Sequence, residues 1–207
     1  MNMLTVAIQA GGESRRMGQD KALLPFLGQP LIARVAARMA SIADEVIVTT
    51  NRPDAYAFLG LPLFADQRAG RGALGGLYTA LQAARQPLVA VVACDMPFAS
   101  PELLAFQARV LEAEAVDVVI PFVQGVDGGS GGYEPLHAVY RRETCLPAVE
   151  QALDSDQWKV IAWFSKVRVR ALTEEECRVH DPGGLAFANV NTPQELSEAE
   201  QMARGEG

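Results

Sequence analysis

Four apolar runs constrain this chain more than anything else in it, because they do not alternate. "LTVAIQA" (4 to 10), "EVIVTT" (45 to 50), "LPLFA" (61 to 65) and "PLVAVVAC" (87 to 94) are nearly continuous in hydrophobic residues. A strand with one wet face alternates apolar and polar; a strand covered on both faces need not, and that is the signature of a parallel sheet between helical layers. The intervening segments have helical period. "PLIARVAARMA" (30 to 40) places Leu31, Val35 and Met39 on one face, and "ALGGLYTALQAA" (73 to 84) does the same with Leu74, Leu77 and Leu81. Strand, helix and strand in this order make right-handed crossovers, so the expected class is α/β: three layers, αβα, around a mostly parallel, Rossmann-like sheet.

The pattern continues toward the C-terminus. "SPELLAFQARVLEAE" (100 to 114) starts with Ser100 as N-cap and Pro101 at the first helical position, and runs into a strand, "VDVVIPFV" (116 to 123). A glycine-rich loop (124 to 135) and a candidate strand, "LHAVYRR" (136 to 142), come next. The last third predicts a helix over 143 to 154, a strand near 167 to 172, a short strand over 185 to 190 and a final helix. "TPQE" starts that helix with a capping box, Thr192 at N-cap, Pro193 at N1 and Glu195 at N3. No repeat or linker divides the chain, so residues 1 to 207 are expected to form one domain.

Composition excludes several classes. The net charge of -7 argues against nucleic-acid binding by counterion release, and any anionic ligand must be met by a local cluster of cations. Cys94, Cys145 and Cys177 are odd in number and widely spaced, suggesting neither a disulfide framework nor a zinc site. No basic, apolar leader precedes Gly11 and no run approaches a membrane span, so a cytoplasmic protein is expected.

The chemistry concentrates behind the first strand, in "AGGESRRMGQDKALL" (10 to 24). It is not a P-loop: five residues lie between Gly12 and Gly18, Lys21 comes three after Gly18, and Ala22 stands where a magnesium-binding hydroxyl belongs. Nor does it fit the dinucleotide fingerprint. Small residues do let the backbone approach an anion, and Arg15, Arg16 and Lys21 supply the charge to neutralise a triphosphate.

That loop resembles the signature of the molybdenum cofactor guanylyltransferases, within the nucleotidyltransferases of nucleotide-diphospho-sugar transferase fold. "GALGGL" (72 to 77), "CDMPF" (94 to 98), "PLHAVYR" (135 to 141) and "FANVNTPQEL" (187 to 196) resemble further family segments, in order from residue 4 to 196. Gln9 stands where the family usually has Leu, Ala73 replaces a Pro, and the 125 to 132 loop is longer than usual. The resemblance implies transfer of GMP from GTP to the terminal phosphate of Mo-molybdopterin, with release of pyrophosphate. It implies nucleotide contacts from Gln9, Ala10, Gly11, Gly12, Lys21, Thr49, Asp66 and Asp95, with Mg2+ held by Asp95. Arg15, Arg16, Lys21 and Asp95 would act in catalysis, and Asn189 and Asn191 on the pterin side or the metal. The partners implied are GTP and molybdopterin, and other proteins of molybdenum cofactor biosynthesis. The pterin pocket is expected between the 124 to 134 and 173 to 186 loops.

Plainer uses stay open for these residues. Asp95 before Met96-Pro97 suits a turn, and Asp66 suits a helix-capping turn. Arg15, Arg16 and Lys21 suit a solvated surface, and Asn189 and Asn191 the turn around Thr192. His137 and Cys94 suit a buried core. A cytidylyltransferase for the same pterin, a sugar-phosphate nucleotidyltransferase and a non-catalytic nucleotide-binding module are the competing functions.

Overall fold

The computed structural model describes residues 3 to 11, 20 to 68, 70 to 124 and 131 to 205. Gly12, Arg15 and Arg16 lie outside the described residues, as do residues 125 to 130 of the 124 to 135 loop.

The first strand, β1 (Leu4–Gln9), is buried along its whole length. It pairs in parallel with β4 (Glu45–Thr49) on one side and β6 (Leu88–Ala93) on the other, and β5 (Leu63–Phe64) extends the sheet in parallel from β4. The four continuous runs are therefore the parallel half of the sheet. Beyond β6 the direction changes: β9 (His137–Arg141) lies antiparallel between β6 and β7 (Val118–Val123). The sheet closes with β10 (Val169–Leu172) parallel to β7, and with the two-residue β8 (Gly132–Tyr133) paired to β7 from the glycine-rich segment. Among the described residues the strand order is β10-β7-β9-β6-β1-β4-β5. A separate two-stranded hairpin joins β2 (Pro25–Phe26) to β3 (Gln29–Pro30).

Side-chain alternation along β1 builds two cores from one strand. Leu4, Val6 and Ile8 pack against Ile32, Val35 and Met39 of α1 (Leu31–Met39) and against Leu103, Leu104 and Leu111 of α4 (Pro101–Ala113). Ala7 faces the other way, into a core with Leu74, Leu77 and Leu81 of α3 (Gly72–Ala83) and Cys145 and Val149 of α5 (Arg142–Asp154). Each fully buried Leu, Val or Ile contributes about 1.5–3 kcal/mol, so the strand is held from both sides. The result is the three-layer αβα fold.

Caps set the helix starts. Ser100 Oγ accepts from Leu103 N at 3.1 Å, and Thr192 and Glu195 complete the expected capping box at the head of α7 (Pro193–Arg204). One helix escapes the sequence reading: α6 (Glu174–His180) begins with a capping box, Thr173 to Glu176, within a segment read as loop. The signal was the same Ser/Thr-x-x-Glu pattern that marks α7, in a segment with too few apolar residues to show helical period. The expected strand over 185 to 190 is replaced by turns. Val190 there packs with Phe26, Leu31, Phe98 and Ala199 in a third small core, and the chain follows that anchor rather than a sheet edge.

Candidate active site

The C-terminal ends of β1, β4 and β6 meet at one edge of the sheet, where open α/β folds place their ligands. Backbone bonds lock the three ends together: Ala10 N donates to Thr49 O at 2.9 Å, and Cys94 N donates to Gln9 O at 3.1 Å. Gln9, Ala10, Thr49 and Asp95 are thereby neighbours, although 86 residues separate the first from the last. Ala10 and Thr49 are buried and Gly11 is exposed.

Lys21 arrives from a short 3-10 turn (Lys21–Leu23) capped by Asp20, whose Oδ1 accepts from Ala22 N. The other oxygen of Asp20 accepts from the Tyr56 hydroxyl at 2.7 Å and from Arg52 Nη1 at 3.1 Å. Tyr56 is buried, and burial together with the Asp20 carboxylate pushes its pKa up, so it is a neutral donor at any working pH. So anchored, Lys21 extends Nζ to Asn191 Oδ1, 2.7 Å away and 170 residues on.

Asp95 is half-buried beyond the end of β6. Burial raises its pKa, and the Lys21 charge pulls it back toward the ionised form. The chain around it is fixed from three sides: Val190 N donates to Asp95 O at 2.9 Å, Arg34 Nε to Pro97 O at 3.1 Å, and Arg38 Nε to Ala99 O at 3.0 Å. Lys21 thus links the Asn191 segment to the end of β6, where its charge acts on Asp95. Asn189 is exposed and makes no side-chain hydrogen bond among the described residues.

Asp66 follows β5, and Asn51 follows β4. Asn51 Nδ2 donates to Asp66 Oδ2 at 2.9 Å and Asp66 N donates back to Asn51 Oδ1 at 3.0 Å, which aligns the two loop ends beside Thr49. Sequence reading missed Asn51, Tyr56 and the anchoring role of Asp20. "NRP" after a strand end signals a turn, but nothing local reveals what Asn51 faces.

His137 is fully buried, with Nε2 accepting from Ser100 N at 3.1 Å, and burial depresses its pKa to about 4. It belongs to the α4 junction, as its plainer reading held. Burial likewise pushes the Cys94 thiol up, so it is not a nucleophile at neutral pH. On the far side, a cavity of about 100 Å³ opens at the end of β7 between Phe122, Val123, Glu174, Cys177 and Phe187, beside the expected 173 to 186 segment; residues 125 to 130 of the other expected segment lie outside the described residues.

This geometry coincides with the family comparison. The MobA-like NTP transferase domain matches residues 6 to 169. The chain belongs to the MobA-like NTP transferase family. It is thus a nucleotidyltransferase, and its likeness to curated relatives runs end to end. It is similar to the "Probable molybdenum cofactor guanylyltransferase" of Pelotomaculum thermopropionicum, with 39% identity over 98% of this chain and 95% of the relative. It is similar also to the molybdenum cofactor guanylyltransferase of Desulfosudis oleivorans, at 34% identity over 97% and 96% of the two chains. Among solved structures, molybdopterin-guanine dinucleotide biosynthesis protein A from Archaeoglobus fulgidus superposes with a TM-score of 0.81 at 26% identity, covering 97% of this chain and 99% of that one. A 4-diphosphocytidyl-2C-methyl-D-erythritol synthase from Anaerococcus prevotii, at 13% identity and a TM-score of 0.70, shares the fold alone. No helix of the transferase among the described residues is long and apolar enough to cross a membrane.

Proposed function

We propose that the transferase moves GMP from GTP to the terminal phosphate of Mo-molybdopterin, giving the guanine dinucleotide cofactor and pyrophosphate. One observation carries this reading: Lys21 is hydrogen-bonded to Asn191 and lies near enough to Asp95, beyond the end of β6, for its charge to act on that carboxylate. A phosphate oxygen of molybdopterin forms the new bond to the α-phosphorus as the bond from that phosphorus to the bridging oxygen breaks and pyrophosphate leaves. The nucleophile is already anionic, so the protein has little proton transfer to perform. Its work is to hold two anions in line and neutralise the charge that builds between them.

Lys21, with Arg15 and Arg16 of the preceding loop, places positive charge on the phosphates. The Asn51–Asp66 pair, with Thr49, bounds the nucleoside. Asp95 suits Mg2+: among the described residues no three His, Cys, Asp or Glu side chains gather into a cage, and Mg2+ is content with one carboxylate, waters and substrate phosphates. Held by Asp95, the ion would supply positive charge against the nucleotide phosphates. The cavity beside Phe122 and Phe187 is the acceptor side, with Phe187 on the same chain segment as Asn189 and Asn191. The reaction belongs in the cytoplasm, where the other proteins of molybdenum cofactor synthesis would deliver and receive the pterin.

Calorimetry with GTP, CTP and ATP in Mg2+ tests the base; tighter CTP binding would transfer the case to a cytidylyltransferase. Lys21→Ala is expected to lower kcat/KM for GTP by about 10²–10³, the scale for removing one preorganised charge-stabilising group. Its unfolding free energy should change by less than about 1 kcal/mol, since a surface lysine contributes little to folding. Loss of stability without loss of rate would reverse the assignment.

A further inference from the structure

Gln9 is a buried amide that the fold itself does not satisfy. The residue is only 7% exposed, and its Nε2 has no hydrogen-bond partner among the described residues. Burying an unpaired amide is unfavourable, whereas a Leu of similar size would carry no such penalty.

The alternation of β1 directs Gln9 to the α3 side of the sheet, with Ala7. There α3 makes room for it. A Cβ on Gly76 would lie 2.7 Å from Gln9 Oε1 and 2.9 Å from its Cδ, so any larger residue at that helix position would push this amide aside. The preceding residue makes a similar close approach: a Cβ on Gly75 would lie 2.9 Å from Arg68 O, so the Arg68 backbone lies directly on the first turn of α3. Glycine inside a helix costs about 1 kcal/mol relative to alanine. Two unfavourable choices therefore converge on one carboxamide. It packs against Gly76 in the "GALGGL" helix start, on the strand next to Thr49, which the proposed function sets beside the nucleoside.

Resting on the guanylyltransferase reading, we propose that the Gln9 side chain reads the base, its Nε2 donating to the 6-oxo group of guanine. The chemistry matches in one direction. Guanine presents an acceptor at position 6, and adenine presents an amino donor that would leave Nε2 unpaired. Oε1 is the end packed closest to Gly76, and Nε2 is the end left buried without a partner among the described residues. Stability is given up in the free protein for a group that is satisfied only when the nucleotide arrives.

The test uses the full chain, with GTP and 2-aminopurine riboside triphosphate, which lacks the 6-oxo group and the N1 proton that accompanies it. Both are titrated calorimetrically in Mg2+ into wild type and Gln9→Leu, and thermal unfolding is recorded without ligand. Gln9→Leu is expected to weaken GTP about tenfold, equivalent to 1.4 kcal/mol, to leave the analogue within twofold, and to hold or raise the ligand-free Tm. Gln9→Met, closer in shape, should give the same pattern and serves if the Leu variant does not fold. Unchanged GTP affinity, or equal weakening of GTP and analogue with a lowered Tm, overturns the proposal and makes Gln9 a packing residue. If wild type itself shows no preference for GTP over ATP and CTP, the guanylyltransferase reading falls as well; a retained preference in Gln9→Leu removes only the role of Gln9.

Discussion

Asp20 holds Lys21 in place through three bonds, and removing its carboxylate should be costly in a way that can be worked out bond by bond. Asp20→Ala deletes the cap on the 3-10 turn, the acceptor for Ala22 N, at about 1 kcal/mol. It also strands the hydroxyl of Tyr56, a residue only 1% exposed, at about 1–3 kcal/mol for an unsatisfied buried donor. The Arg52 pair adds little, because the arginine side chain is 64% exposed and such pairs are worth well under about 1 kcal/mol. The sum is about 2–4 kcal/mol, and at about 2–4 °C per kcal/mol for a chain of this size Tm should fall by about 4–16 °C. Tyr56→Phe removes the donor and leaves Asp20 its other two partners, so about 1 kcal/mol is expected there. Once Asp20 is gone the phenol has nothing left to lose, and the two substitutions should be strongly non-additive in a double-mutant cycle read by urea unfolding. Because the turn carries Lys21, the KM for GTP should rise in Asp20→Ala in parallel. Additive effects of the two substitutions, or an Asp20→Ala variant as stable as wild type with an unchanged KM, would refute the anchoring argument.

Two further predictions concern pH. Burial raises the Asp95 pKa above its unfolded value, so its ionised form disfavours folding. That penalty is absent below the ordinary carboxylate pKa of 3.8 and grows as pH rises through the folded pKa. Asp95→Asn should therefore be at least as stable as wild type at pH 7, lose that advantage in acid, and abolish Mg2+-dependent transfer; unfolding curves at pH 3 and pH 7 with a pyrophosphate-release assay check all three. His137 shows the opposite case: its pKa falls from 6.5 to about 4 on folding, so stability is complete above 6.5 and is lost as pH drops toward 4. The loss is on the order of 3 kcal/mol, and His137→Gln should flatten it, as unfolding free energies measured from pH 7 to pH 4 would show.

Much of this protein was determined locally. Continuous apolar runs specified strands covered on both faces, 3.6-residue periodicity specified α1 and α3, and Ser100 and Thr192 marked the starts of α4 and α7 where the structure has them. Such signals are legible because each depends on a few adjacent residues. The same locality explains what went unseen. Helix α6 has a cap but little apolar period, and the segment over 185 to 190 gave up its strand so that Val190 could reach a core made with Phe26 and Phe98. The site is a matter of sheet order: β1 has β4 and β6 as its neighbours, and only that order sets Gln9 beside Thr49 and joins both to the start of the Asp95 loop. Sequence marked Lys21, Asp95 and Asn191 as residues of the right chemistry. That Lys21 meets Asn191, that Asp20 rests on Tyr56, and that Gln9 lies unpaired against Gly76 were decided by tertiary packing alone, because hydrogen bonding and burial act through distance in space, and no spacing along the chain records it.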